Sequence, residues 1–317
     1  TLGVNGSRRL QPSTRSVNPG VLLGLGAYLL WGLFPLYFKL LHRIPALELV
    51  AHRIVWSMVV LALGLLLLGR WTPFFRRFAT PRIASFHFLT SLLIAANWLL
   101  YVWGVNAGRV VECSLGYFLN PLVSIALGVV VLRERLRAAQ WTGLGLAAAG
   151  VAYLATRSGS VPWLSVSLAI SFGLYGLFKK RAPLGAFDGL FAETLLLSIP
   201  ALGWIVLSEQ AATGPLRSAT AAEWIFVVGT GIVTTLPLLM FSAATRRIPL
   251  SWMGFLQYVT PTMQLLIGTL VFHEGFGPER LHGFALVWGG LAIVAIDALG
   301  RILSRRDAIR PVRGTDP

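Results

Sequence analysis

The sequence predicts an all-α membrane protein of ten transmembrane helices, arranged as two inverted five-helix units. Three observations carry this prediction. Apolar residues come in uncharged blocks near 20 residues long. A 36-residue stretch recurs without a gap at an offset of 140. The basic residues fall on one side of the alternation that the blocks impose.

Composition sets the class. Hydrophobic residues make up 56% of the 317 and charged residues 12%, against about 25% charged in soluble chains. A block of some 20 apolar residues crosses ~30 Å of hydrocarbon as a helix. The alternation of a membrane β-barrel strand is absent. The net charge of +15 comes almost wholly from arginine, 24 of the 27 basic residues, in short segments between blocks. That placement orients helices in a bilayer and argues against nucleic acid as a partner. One cysteine, Cys113, excludes a disulfide framework and a multi-cysteine metal site and suits packing.

Taken in order, residues 1–19 are polar, with Arg8, Arg9 and Arg15. They lack the apolar core of a signal peptide and read as a disordered cytoplasmic tail. The spans follow at about 20–41, 47–69, 84–105, 112–132, 138–156, 162–179, 188–208, 223–244, 250–272 and 281–300, joined by short loops that favour antiparallel neighbours. With the N-terminus inside, 20 basic residues lie on the inner side. They include Arg70–Arg82, Arg133–Arg137, Lys179–Arg181, Arg246 and Arg247, and five arginines from Arg301 onward. Only Arg43, Arg109, Arg157, Arg217 and Arg280 lie outside. Cytoplasmic termini follow.

The repeat aligns Ser114–Glu134 with the stretch ending at Glu274. Pro121 matches Pro261, Gly128 matches Gly268, Val131 matches Val271 and Glu134 matches Glu274. The register continues through Gly143/Gly283, Leu146/Leu286 and Gly150/Gly290. Earlier, Trp31-Gly32 echoes Tyr175-Gly176, and Glu48 echoes Glu193. Spans four and five thus match nine and ten. An offset of five spans turns one half upside down relative to the other. That is the architecture of secondary transporters with a central site. The units are 20–156 and 162–300, with 157–161 as connector and 301–317 as a basic cytoplasmic tail. Asn120-Pro121 and Thr260-Pro261 become candidate opposed bends, because proline frees a carbonyl one turn back.

Polar side chains inside spans need a cavity or a partner. The substrate-cavity candidates begin with Tyr28 and Trp31 in span one. Glu48, His52 and Arg53 follow in span two, with Glu48 and His52 at i, i+4 on one face and Arg53 near enough to pair with Glu48 or Glu112. Span three gives Asn97 and Tyr101, and span four gives Glu112, Tyr117 and Asn120. The second half gives Tyr175, Glu193, Thr234, Gln257 and Tyr258. Glu48, His52, Arg53 and Glu112 lie near outer span ends, where an interfacial ion pair and a transport role both fit. Trp98 and Trp103 fit a belt at the membrane surface. Glu134 and Glu274 read as helix-end residues paired with basic loops. Abundant glycine suits close helix packing.

No G-x-x-x-x-G-K-[ST] or H-E-x-x-H occurs. The four aspartates and five histidines are scattered, so neither an ATP-driven engine, a catalytic set, a metal nor a cofactor is expected.

The motifs then identify a family. AYLLWG (Ala27–Gly32), the pattern from Pro45 through Glu48, His52 and Arg53 to Trp56-Ser57, NWLLYVWGVN (Asn97–Asn106) and ECSLGYFLNPL (Glu112–Leu122) lie in the first half. SFGLYGL (Ser171–Leu177), GIVTTLPLL (Gly231–Leu239) and GFLQYVTPT (Gly254–Thr262) lie in the second. Together they resemble the EamA repeat of the drug/metabolite transporter superfamily, and most closely its RarD-type, chloramphenicol-sensitivity permeases. The resemblance implies an inner-membrane permease with ten helices and a central cavity gated alternately from either side. It implies cargo such as amino acids or other small metabolites. The chain departs from the family where Arg133 and His273 stand in place of the glycine that usually precedes Glu134 and Glu274.

The expected function is secondary active export of a small metabolite or drug, an amino acid or a chloramphenicol-like compound, by alternating access. Its partners are the lipid bilayer, a small-molecule substrate and protons as coupling ion, carried by Glu48, His52, Glu112 or Glu193. A homodimer is compatible with the chain. Aromatic residues Tyr28, Trp31, Tyr117, Tyr175 and Tyr258 would touch apolar cargo, and Asn97, Asn120 and Gln257 would hydrogen-bond it. The competing reading is a non-transporting membrane scaffold or sensor.

Overall fold

A computed structural model describes residues 18–156, 163–210, 216–273 and 277–307, without the side chains of 278–280 and 302–307. Arg8, Arg9, Arg15, Arg157, Glu274 and most of both tails lie outside the described residues, as does the side chain of Arg280. Among the described residues every regular element is a helix. Among the described residues seven stretches are long and apolar enough to cross a membrane, namely Pro19–Lys39, Ala46–Leu67, Pro81–Asn106, Val110–Val130, Ala186–Gln210, Ala221–Thr245 and Leu281–Arg301.

The elements follow the apolar blocks, with local chemistry setting their ends. α1 (Pro19–Gly32) starts at Asn18, whose side chain accepts from the Gly20 amide at 2.8 Å, with proline at the first helical position, where its missing N–H costs nothing. Leu33 separates it from α2 (Phe34–Lys39), next to Pro35. Pro35 has no N–H to donate one turn back to the Trp31 carbonyl, so the helical ladder lapses there. α3 (Ala46–Leu67) leads to α4 (Trp71–Phe78), which the sequence reading treated as loop. Its Arg76 and Arg77 and its length of eight residues hide it from a search for spans, but Phe74 is buried and packs on Phe191 at 4.8 Å. The rest are α5 (Pro81–Asn106), α6 (Val110–Val130), α7 (Ala138–Thr156), α8 (Trp163–Lys180), α9 (Ala186–Gln210), α10 (Ala221–Thr245), α11 (Leu250–Gln257), α12 (Val259–Leu270) and α13 (Pro278–Asp307).

The two matched prolines do not act alike. α6 runs unbroken through Pro121. Its counterpart breaks at Tyr258, between α11 and α12, three residues before Pro261. Of the two candidate bends, the one near Pro261 interrupts its helix and the one at Pro121 does not. The matched glycines do act alike. α7 and α13 pack antiparallel, so close that a Cβ on Gly143 would fall 2.7 Å from the Gly290 carbonyl oxygen. One on Gly150 would fall 2.6 Å from that of Gly283. Only glycine permits this approach.

The other main pairings are α3 with α9 and α10, α5 with α8 and α9, α1 with α10, α11 and α12, and α6 with α8 and α11. Among the described residues, the largest apolar cluster joins α1, α3, α4, α5, α8, α9, α10 and α11 around Tyr28, Tyr175, Phe191, Phe241 and Met253.

One end of the bundle is knit together through its loops. Arg70 donates to Asp188 at 2.7 Å, and Arg77 to the Pro183 carbonyl at 3.0 Å. Arg246 donates to the carbonyls of Ala182 and Leu184 at 2.9 and 2.8 Å. Lys180 reaches those of Thr245 and Ile248 at 3.0 and 2.6 Å, and Arg137 pairs with Asp297 at 2.9 Å. Gly20 lies against Arg247 and Ile248. The start of α1 and the Asp297 turn of α13 therefore meet at this basic end.

Candidate functional site

Between the basic end and the opposite end lies a cavity of about 390 Å³, in the range of small-molecule sites. Its wall comes from α1, α2, α3, α5, α6, α8, α10, α11 and α12. Aromatic rings dominate it: Tyr28, Trp31, Phe34, Phe38, Trp98, Tyr101, Tyr117 and Phe172. Ala46 and Leu49, from the first turn of α3, place its upper wall toward the end away from the basic loops.

Arg53 is the one charged residue in this wall. Its Nε donates to Thr234 Oγ1 at 2.9 Å. Its guanidinium carbon lies 5.1, 5.2 and 5.8 Å from the ring centroids of Phe38, Trp98 and Phe34, within cation–π reach. The expected pairing of Arg53 with Glu48 or Glu112 does not form. Glu48 Oε1 faces His52 Nε2 at 3.4 Å, and its Oε2 accepts from Trp204 Nε1 at 3.0 Å. Glu112 pairs with Arg109 at 2.7 Å. Arg53 sits one position along α3 from His52, about 100° round the helix, and so turns to a different neighbour.

The amides divide between scaffold and cavity. Asn97 donates from Nδ2 to the Leu168 carbonyl at 2.9 Å and to Ser171 Oγ at 3.0 Å, tying α5 to α8. Gln257 Oε1 accepts from Ser124 at 3.4 Å. Thr260 donates to the Tyr28 carbonyl at 2.9 Å, and Gln264 to that of Trp31 at 3.4 Å. The Tyr28 hydroxyl and Asn120 Oδ1 are buried with no hydrogen-bond partner among the described residues.

Below the cavity is an aromatic floor. Trp31 packs on Tyr28 and Phe172 at 5.6 and 5.9 Å. Phe241 lies 6.3 Å from Tyr28 and 5.6 Å from Trp31, and it stacks on Tyr175 at 6.1 Å with planes 7° apart. Beyond that layer, toward the basic end, is a second charged site. Glu193, 1% exposed, receives Lys179 Nζ at 2.9 and 3.1 Å, the Tyr175 hydroxyl at 3.0 Å and Thr90 Oγ1 at 2.7 Å. His87 Nδ1 lies 3.6 Å from the same carboxylate. Lys179, the last residue of the predicted span 162–179, is 2% exposed and ends inside the core.

Of the fifteen candidates, the structure gathers Tyr28, Trp31, Arg53, Asn97, Tyr101, Tyr117, Asn120 and Gln257 into one wall. Thr234 stands behind Arg53. Tyr175 and Glu193 lie beneath the floor. Glu48, His52 and Glu112 form polar pairs near the end opposite the basic loops. Tyr258, fully buried, packs with Leu115, Phe118 and Phe284 between α6, α7, α12 and α13. Phe34, Phe38, Phe172 and Thr260 were not among the candidates. For the three rings no sequence signal separates a cavity-facing phenylalanine from a core one. Thr260 had a signal in its place beside Pro261.

Glu134 plays a different part from the basic-loop partner expected. Its carboxylate accepts from the amides of Leu250 at 2.7 Å and Ser251 at 2.8 Å. It thus caps the N-terminus of α11, which has no side-chain cap of its own at Pro249. Arg133 and His273 both have φ of 55° and are the only non-glycine residues with positive φ among those described. The two positions where the family usually has glycine therefore do take the left-handed backbone that favours it.

Comparison with known proteins places this architecture. The profile of the EamA-like transporter family matches residues 18–156. Protein RarD of Streptomyces exfoliatus is 46% identical over 280 residues, covering 88% of this chain and 89% of that protein. An uncharacterized transporter of Pseudomonas aeruginosa is 44% identical over 287 residues, covering 90% and 96%. A solved crystal structure superimposes with a TM-score of 0.69 at 20% identity, over 91% of this chain and 99% of that one. That likeness concerns the fold alone.

Proposed function

Because the chain belongs to the EamA-like transporter family, in its RarD-type branch, we propose that it is a secondary active exporter working by alternating access through the central cavity. Family membership makes it a membrane transporter, with a bilayer around it and a small molecule as cargo. The finer reading is ours. Ten spans form two inverted five-helix units in the inner membrane, with the basic end and both termini in the cytoplasm. The cargo is a small metabolite such as an amino acid, or a drug-like compound. Protons drive it, with the Glu48–His52 pair as the preferred carrier. A transporter is preferred to an enzyme because the cavity wall holds no acid–base pair.

The helix pairing supports the inverted repeat. Matching α1/α2 with α8, α3 with α9, α5 with α10, α6 with α11/α12 and α7 with α13 turns each principal contact into another. The α3–α10 contact becomes α9–α5, α1–α10 becomes α8–α5, and α6–α8 becomes the α1 contact with α11 and α12. Gly143 against Gly290 and Gly150 against Gly283 is the reciprocal contact of a two-fold axis. An antiparallel pair of equivalent helices fits opposite orientations of the two halves.

The observation that carries the function is the lined cavity above a sealed floor. A central cavity closed by packed rings and a charged lock toward the basic end fits one end-state of alternating access. In liposomes containing the purified protein, amino acids and chloramphenicol should be screened for flux with and without a pH gradient. Flux that depends on the protein is expected for at least one class, enhanced by the gradient. No flux of any solute would overturn the reading in favour of a scaffold or sensor. Reporter fusions at both ends should report the same compartment.

A further inference from the structure

We infer that the cavity selects cargo bearing a negative charge, a small carboxylate on an aromatic or other apolar body, with Arg53 as the residue that recognises it. The inference rests on the transporter reading only for calling the ligand cargo.

The first observation is charge balance. Arg53 is the one charged residue in the cavity wall, and no acidic residue lines it. Among the described residues Arg53 has one hydrogen bond, from Nε to Thr234, and no ion pair. Its terminal nitrogens keep their donors free. Three rings at 5.1–5.8 Å offset part of the loss of hydration but carry no charge. A half-buried cation with no counter-ion is left undercompensated, so an anion that enters gains where a neutral molecule does not. The planar guanidinium edge matches a carboxylate's two oxygens. The second observation is the pair of unpartnered polar atoms in the same wall, the Tyr28 hydroxyl and Asn120 Oδ1, on residues 1% and 4% exposed. Once uncovered, the Tyr28 hydroxyl can donate to a carboxylate, whereas Asn120 Oδ1 only accepts and suits a donor elsewhere on the cargo. The third is the contrast with Lys179, whose charge is met within the protein by Glu193. Among the described residues the buried Lys179 has a counter-ion and the half-buried Arg53 has none.

The test uses three probes that share a phenyl body and differ in charge: phenylacetate, phenylacetamide and 2-phenylethylamine. Binding to the detergent-solubilised full-length protein is measured by titration calorimetry. Phenylacetate should bind at least about tenfold more tightly than either of the others. Arg53→Gln should abolish that preference, and Arg53→Lys should keep its sign with a smaller ratio, since the charge stays and the bidentate edge is lost. The wild-type comparison needs no variant, so a misfolded Arg53→Gln protein leaves the test intact. Equal binding of the amide, no binding of any probe, or an undiminished preference in a folded Arg53→Gln protein would overturn the inference. Anion-selective binding without flux in liposomes would sink the transporter reading and leave the anion site standing.

Discussion

Arg53 in α3 and Glu193 in α9 are each a charged residue set inside an apolar helix. Their surroundings are opposite. Arg53 faces a cavity, with one hydroxyl and three rings for company. Glu193 is closed in by Lys179, Tyr175 and Thr90. One helix presents its charge to a binding wall, and the other closes its charge into a polar lock. The wall leaves its charge for a ligand, and the lock spends its charges on itself.

The sharpest way to break this contrast is to unpair the lock. Glu193→Gln leaves Lys179 buried without a counter-charge and should cost about 3–5 kcal/mol of stability, read by denaturant titration in detergent. The double variant Glu193→Gln/Lys179→Met should recover much of that loss. If the single variant is as stable as the parent, the lock is no lock. Next, Glu134→Ala orphans the amides of Leu250 and Ser251 at the shut end. A loss of about 2 kcal/mol is expected by the same titration, with faster labelling of a cysteine placed at Ser251. Unchanged labelling would detach this cap from closure. Arg133→Gly relieves the left-handed backbone and should stabilise by about 1 kcal/mol, raising the melting temperature. The smallest effect belongs to Arg53→Met. Removing a cation that nothing in the protein pairs should change stability by less than about 1 kcal/mol while removing anion binding. A loss as large as that from Glu193→Gln would make Arg53 a structural residue and erase the contrast.

The helices were legible in the sequence because a spanning helix is a local property, an uncharged apolar block of sufficient length. Each predicted span has a helix, or a broken pair, in its place. α4 escaped because eight residues with two arginines carry no such signal. The Pro121–Pro261 match gave the right positions but not the asymmetry, since whether a proline bends or breaks a helix depends on what packs on it. Eight of the cavity candidates were legible because polar or aromatic groups within an apolar span must face something other than lipid. Tyr258 and Glu193 obey the same rule by facing the protein core.

By itself, the sequence determined the helical blocks, their order, the matched glycines and the gathering of basic residues in alternate loops. Each is set by hydration of residues close together in the chain. Only the tertiary structure decided which charge meets which. Thr90 reaches Glu193 across 103 residues, and Thr234 reaches Arg53 across 181. Electrostatic pairing away from water is decided within a few ångströms, a distance that sequence spacing does not fix between separate helices. That is why Glu48 and Glu112, near Arg53 in the chain or in expected depth, are taken by His52 and Arg109, and Arg53 is left to face the cavity.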